Sequence, residues 1–176
     1  PVELIDVFPT VIDLANLPDV THDTFRLEGR SLLPLLNDPS MATLPDRDFA
    51  LSAYPRCPKV HGPVWDDWCI HIVERSSFRF MGYTIRTPEY RYTEFVAWNG
   101  SSLAPLWDQI QSRELYDHRK DMPGDGKWER RDDFEDVNQI DQADPALVRD
   151  LSAKLHAAFG LGGYPSSCHK PTVSYV

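Results

Sequence analysis

The sequence predicts an α+β domain: a small antiparallel sheet of about four strands with helices packed against it. Three observations predict this class. Apolar residues repeat at helical spacing over residues 4–17 and again over 147–159. Between them lie several runs rich in aromatic and β-branched side chains, as strands prefer. The strand-like runs cluster in the middle of the chain and the helical patterns flank them. That order favours one sheet with helices outside it over alternating β-α-β units.

The first helical stripe is Leu4, Ile5, Phe8, Val11, Ile12, Ala15 and Leu17. It predicts a short helix over Val7–Leu17, packed on a core. Asp6 is the expected N-cap and suits the positive end of the helix dipole. Pro9 then falls in the first turn, where its missing N–H has no helical partner to lose. Residues 18–46 are loop-rich, with Pro18, Gly29, Pro34, Pro39 and Pro45. Within them the stretch Leu27 to Leu36 reads as a tight turn followed by a single apolar turn of helix.

Strands are expected at Phe49–Tyr54, Ile70–Val73, Phe78–Thr87 and Tyr90–Trp98, with a short one at Glu114–Asp117. Thr87-Pro88-Glu89 is the expected hairpin connection, and Asn99-Gly100-Ser101 a turn. Alternation in the third strand is imperfect, so either both faces are covered or a bulge lies near Gly82. Residues 118–143 are charged and apolar-poor, a solvated linker with one helical turn. Asp144 as N-cap and Pro145 at N1 open the clearest element, with Leu147, Val148, Leu151, Leu155, Ala158 and Phe159 on one face and Gly160 closing it. One domain over residues 1–160 and an irregular tail over 161–176 follow.

Composition narrows the function. Eighteen basic residues against 27 acidic ones leave a net charge of −9, which argues against a nucleic-acid binder. No apolar run reaches the roughly 20 residues of a membrane span. Fifteen prolines against nine glycines favour rigid loops. The chain opens on Pro1-Val2-Glu3-Leu4 with an apolar pattern already running. That is expected of a C-terminal piece of something larger, so absent targeting signals say nothing of compartment.

Reactive motifs are scarce. There is no G-x-S-x-G elbow and no glycine-rich phosphate loop. Cys57 with His61 four residues on is a conceivable thiol–imidazole pair, but Pro58 stiffens the stretch and a structural cysteine fits as well. The spacing of Cys57, His61, Cys69 and His71 matches no standard zinc pattern. Asp66-Asp67 and Asp117-His118 suit solvated or capping roles. Cys57 and Cys69 either close a short loop as a disulfide or stay reduced, while an odd third cysteine, Cys168, remains. Asn99-Gly100-Ser101 fits the glycosylation sequon as well as a plain turn.

Three stretches together resemble the C-terminal part of the sulfatases of the alkaline-phosphatase superfamily. Asp6-Val7-Phe8-Pro9-Thr10 with Val11-Ile12-Asp13-Leu14-Ala15 is similar to the family's D-x-x-P-T helix ending in D-L-A-G. Leu27 to Leu36 (LEGRSLLPLL) is similar to its D-G-x-S-L-x-P-L-L segment. Met81 to Tyr92 (MGYTIRTPEYRY), followed by Glu114-Leu115-Tyr116-Asp117, is similar to its I-R-T-x-x-Y-R/K-Y and E-L-Y-D signatures. Asn16 stands where the family often has Gly and tolerates the left-handed conformation a helix end needs. Residues 118–143 replace a short D-P-x-E ending with a longer acidic insertion. Tyr54-Pro55-Arg56 and the Met81–Thr93 run point to the branch that acts on sulfated uronic-acid sugars.

The resemblance implies a C-terminal subdomain docked on a larger N-terminal α/β alkaline-phosphatase-like catalytic domain. It implies a formylglycine in a C-x-P-S-R motif and a calcium ion, both carried by that other domain. Cys57-Pro58-Lys59 is not that motif, and Asp117-His118 belongs to the E-L-Y-D tail. No catalytic residue and no metal ligand is therefore expected in this chain. It further implies an extracytoplasmic location and a sulfated polysaccharide or oligosaccharide substrate, with neither nucleic acid nor membrane as partner. A strongly anionic polymer needs a local basic cluster on a chain of charge −9. Tyr54, Arg56, Lys59 and His61, with Trp65 and Trp68 as a platform for a sugar face, are the expected substrate wall. The bland alternative is that the arginines of residues 56–91 pair with local acids. Another hydrolase of the superfamily, such as a phosphodiesterase, and a non-catalytic binding module are the rival functions.

Overall fold

The computed structural model describes residues 1–18, 27–41, 44, 47–56, 73–119 and 135–159. Four strands form one antiparallel sheet in sequence order: β1 Ala50–Arg56, β2 Phe80–Arg86, β3 Tyr90–Asn99 and β4 Ala104–Asp117. The helices are α1 Val7–Leu14, α2 Leu33–Asn37 and α3 Pro145–Ala158. The α+β class and the four-stranded sheet agree with the sequence reading.

β2 and β3 form where aromatic and β-branched residues are densest. Their hairpin is closed by Thr87, whose N–H donates to the Tyr90 carbonyl (2.8 Å) while its Oγ1 accepts from the Tyr90 N–H (3.0 Å). The β2–β3 register is continuous through Gly82, so no bulge occurs there. Instead, residues of both parities in β2 are at least partly buried. Tyr83 and Ile85 pack toward α3, and Phe95 lies over Gly82 on the other side. The ladder's irregularities fall between β3 and β4, around Val96.

β4 is the main departure in the sheet. The sequence shows strand character only at Glu114–Asp117, yet the strand begins at Ala104. Its first half, with Pro105, Asp108 and Gln109, lacks alternation and is only partly buried. Pairing with the long β3 supplies the order that local propensity does not. Of the expected strand at residues 70–73, Val73 is a bend, and 70–72 lie outside the described residues.

α3 follows the sequence closely. The Asp144 carboxylate accepts from the Ala146 N–H at 2.8 Å, and Pro145 occupies N1. Leu151 and Leu155 enter the core with Tyr83, Ile85, Tyr92, Val96 and Leu115. Gly160 lies outside the described residues.

α1 departs more. Helical geometry starts with a 3-10 turn at Leu4–Asp6, and Asp6 does not cap α1. Its carboxylate reaches backward to accept from the Glu3 N–H at 2.9 Å. The helix ends at Leu14. Asn16 takes the left-handed conformation (φ 48°), the Leu17 N–H bonds the Ile12 carbonyl, and the Asn16 N–H bonds that of Asp13. This is the Schellman closure expected of Asn16. The expectation that the stripe packs on a core is wrong: Leu4 is 91% exposed and Phe8 54%, while only Ile12 of the stripe is buried. The buried side of α1 is mostly polar: Asp6, just before the helix, and Thr10 are buried with one apolar residue, Ile12.

Candidate functional site

α3 covers one face of the sheet. The other face presents side chains of opposite parity from all four strands, which the antiparallel registers align in rows. Ser52, Thr84, Thr93 and Glu114 form one row across β1 to β4. Tyr54, Gly82 and Phe95 form the next, and Arg56 pairs with Phe80 in the third. All of these except Phe80, together with Arg91, line a concavity of about 180 Å³.

The concavity has a defined electrostatic shape. The Arg56 guanidinium sits 5.2 Å from the Phe95 ring centroid, a cation–π contact, and makes no ion pair among the described residues. Phe95 is itself held edge-on by Phe80. Gly82 makes room for it, since a Cβ there would come 2.9 Å from the Phe95 ring. The Thr84 and Thr93 hydroxyls share a hydrogen bond of 2.8 Å. Arg91 is neutralised by Glu135 at 2.6 Å and lies over the Tyr116 ring.

Of the residues expected at a substrate wall, the sheet brings Tyr54 and Arg56 together on this face. Lys59, His61, Trp65, Trp68, Cys57 and Cys69 lie outside the described residues. Asn99 ends β3, with its Oδ1 accepting from the Ser101 and Ser102 N–H groups. The expected basic cluster divides: Arg91 pairs with an acid, Arg86 donates to the Thr87 carbonyl, and Arg56 stands over an aromatic ring.

Two carboxylate centres escaped the sequence reading. Glu94 on β3 is fully buried. It accepts from the Tyr92 hydroxyl (2.7 Å), the Ser152 hydroxyl (2.8 Å) and His156 Nε2 (2.7 Å), with Arg113 Nε at 3.6 Å. Burial alone pushes its pKa up, but the donors from Tyr92, His156 and Ser152 outweigh it and hold the carboxyl below its ordinary range. The Tyr92 phenol is pushed up, by burial first and then by Glu94. Ser152 and His156 both donate to Glu94, so the arrangement is a joint between α3 and the sheet, without the nucleophile–base hydrogen bond that Ser–His catalysis needs. The signal was present: Ser152 and His156 stand four apart beside Leu151 and Leu155, opposite a lone Glu in an apolar strand.

The second centre is Asp6, also fully buried. Burial raises its pKa, and this is outweighed by the N–H groups of Arg30 and Glu3 and by the Arg47 guanidinium, so the net shift is downward. Arg47 also bridges to Glu3, whose other oxygen accepts from the Leu51 N–H of β1 at 2.6 Å. Gly29 passes so close that a Cβ would lie 1.9 Å from the Ile5 carbonyl oxygen.

Compared with curated proteins, the chain is 33% identical over 128 residues to iduronate 2-sulfatase of Homo sapiens and 31% identical over 128 residues to that of Mus musculus. Each match covers 65% of this chain and 22% of the sulfatase. This is a sulfatase-like region. It spans about a fifth of the length of those relatives, and its four-stranded α+β fold fits a C-terminal subdomain. No protein-family model matches the chain.

Proposed function

We propose that this chain is the C-terminal portion of a sulfuric ester hydrolase resembling iduronate 2-sulfatase, which removes sulfate from sulfated uronic-acid residues of glycosaminoglycan-like polysaccharides outside the cytoplasm. The chain stabilises the larger catalytic domain and contributes a wall of the substrate cleft from Tyr54 and Arg56, continued by Lys59, His61, Trp65 and Trp68. The observation that carries the reading is the identity of about one residue in three over 128 residues shared with two iduronate 2-sulfatases.

The outward apolar face of α1 supports a large partner domain, because an exposed stripe of this kind is normally covered in the complete molecule. Among the described residues no three His, Cys, Asp or Glu side chains converge to hold a metal ion, and no helix is long and apolar enough to cross a membrane. The described residues thus offer calcium no fitting site.

The test is sulfate release by the complete protein from a disaccharide carrying a 2-O-sulfated uronate. Turnover of that substrate above an aryl phosphate is the expected result. Hydrolysis of phosphate esters alone would discard the sulfatase reading.

A further inference from the structure

We propose that the open face of the sheet is a binding subsite for an acidic disaccharide, with Arg56 taking its carboxylate or sulfate and the Ser52–Thr84–Thr93–Glu114 row taking ring hydroxyls. This deepens the functional reading above and rests on it for the choice of a uronate probe.

A sheet face that only packs on protein is apolar, as the face under α3 mostly is. This face has three hydroxyls and a carboxylate through its middle, and Thr93 is 3% exposed. Burying such groups is unfavourable unless they are hydrogen-bonded. The shared Thr84–Thr93 bond uses one hydroxyl proton and leaves the other for an acceptor outside the pair. The Glu114 carboxylate only accepts, and it has no hydrogen bond or ion pair among the described residues. A sugar hydroxyl both donates and accepts, so a polyol matches this row.

At the other end, Arg56 lies over Phe95 and has no carboxylate partner among the described residues. The ring contact holds the guanidinium before a ligand arrives, which reduces the ordering cost of binding. An oxyanion presents two oxygens to that fork. The Phe95 ring fills the space above Gly82, and its edge and Tyr54 give the concavity an aromatic border for a sugar ring. With strands about 4.8 Å apart, the row from β1 to β4 runs roughly 14 Å, longer than one ring and suited to two linked rings.

The experiment is calorimetry with amide-shift mapping on the full chain. Four probes are used: a 2-O-sulfated uronate disaccharide, its unsulfated counterpart, a sulfated neutral disaccharide and maltose. At least one acidic probe is expected to bind and shift Ser52, Thr84, Thr93 and Glu114, and maltose to bind at least about tenfold more weakly. Binding of the unsulfated uronate assigns the carboxylate to Arg56, and binding of the sulfated neutral sugar assigns the sulfate. Arg56→Ala should weaken the acidic probe about tenfold or more and Arg56→Lys less, because the charge remains while the fork is lost. Glu114→Gln, whose side chain is half-exposed, guards against a folding failure and should weaken binding several-fold. No binding by any acidic probe, or equal binding by wild type and Arg56→Ala, overturns the subsite. Sulfate release is not read here. Binding without turnover by the complete protein would retain the subsite and discard the hydrolase, and full turnover without binding would do the reverse.

Discussion

The sheet with α3 and the N-terminal segment with α1 are held by opposite means. The first buries apolar side chains and places one carboxylate, Glu94, at the joint between its layers. The second buries charge. Asp6, Glu3 and Arg47 tie α1, the Gly29 turn and the edge of β1 together, and Thr10 Oγ1 accepts from the Leu32 N–H at 2.9 Å. The apolar side of α1 is left facing out. Amphipathic spacing therefore fixes a helix without fixing which side its own chain uses. In α3 the apolar side meets the sheet; in α1 the polar side meets the chain.

The largest effect should come from Glu94. Glu94→Ala strands three donors in the α3–sheet joint, and breaking a buried network of this kind costs about 3–5 kcal/mol. That is a large fraction of the roughly 5–15 kcal/mol of a typical domain. Glu94→Gln keeps the shape and loses the charge, for about 2 kcal/mol. The sign of the pH effect follows from the depressed pKa. The stabilising contribution is fully present above the unfolded value of roughly 4.3 and is lost as pH falls through the lower folded value. Denaturant titrations should show wild-type stability declining below about pH 4.3. Glu94→Gln should decline less steeply, with a remaining slope from Asp6, whose shift has the same sign. Equal slopes would remove Glu94 from the acid response.

A smaller and local effect is expected at Asp6. Asp6→Ala leaves the N–H groups of Glu3 and Arg30 without their acceptor and Arg47 without one of its two acids. The loss, about 3 kcal/mol, should be confined to the N-terminal segment. Hydrogen exchange would show lost protection at Arg30 and Leu32 while the β2–β3 amides stay protected. Simultaneous loss in β2 and β3 would mean that the two regions are one cooperative unit, and the contrast drawn here would fail.

What was legible follows the same division. β2, β3 and α3 could be read because their signals are local: aromatic and β-branched runs, a Thr-Pro-Glu hairpin, an Asp-Pro start. The left-handed Asn16 was foreshadowed only by the family resemblance, while the apolar spacing carried the helix three residues too far, to Leu17. The first half of β4 was not, because Pro105 to Gln111 is ordered by its neighbour and not by its own preference. Glu94 and Asp6 were not, because each draws its partners from distant segments: Ser152 and His156 lie 58 and 62 residues from Glu94. Two of the six residues expected at a substrate wall lie among the described residues. Tyr54 and Arg56 belong on one face by strand parity, but Thr84, Thr93, Phe95 and Glu114 joined them only through the register.

The smallest effect in this chain should be the most informative about its context. Phe8→Ser and Val11→Ser change side chains that are already half in water, so little burial is lost and stability should move by no more than about 0.5 kcal/mol. Full burial of such side chains in a larger protein is worth about 1.5–3 kcal/mol each. The same two substitutions should therefore lower the melting temperature of the complete protein clearly while leaving that of this chain nearly unchanged. A pair of thermal melts, one on the chain and one on the complete protein, makes the comparison. An equal shift in both would mean that the α1 stripe remains solvent-facing in the complete protein. The inside-out packing of α1 would then be a property of this segment itself, with no partner domain behind it.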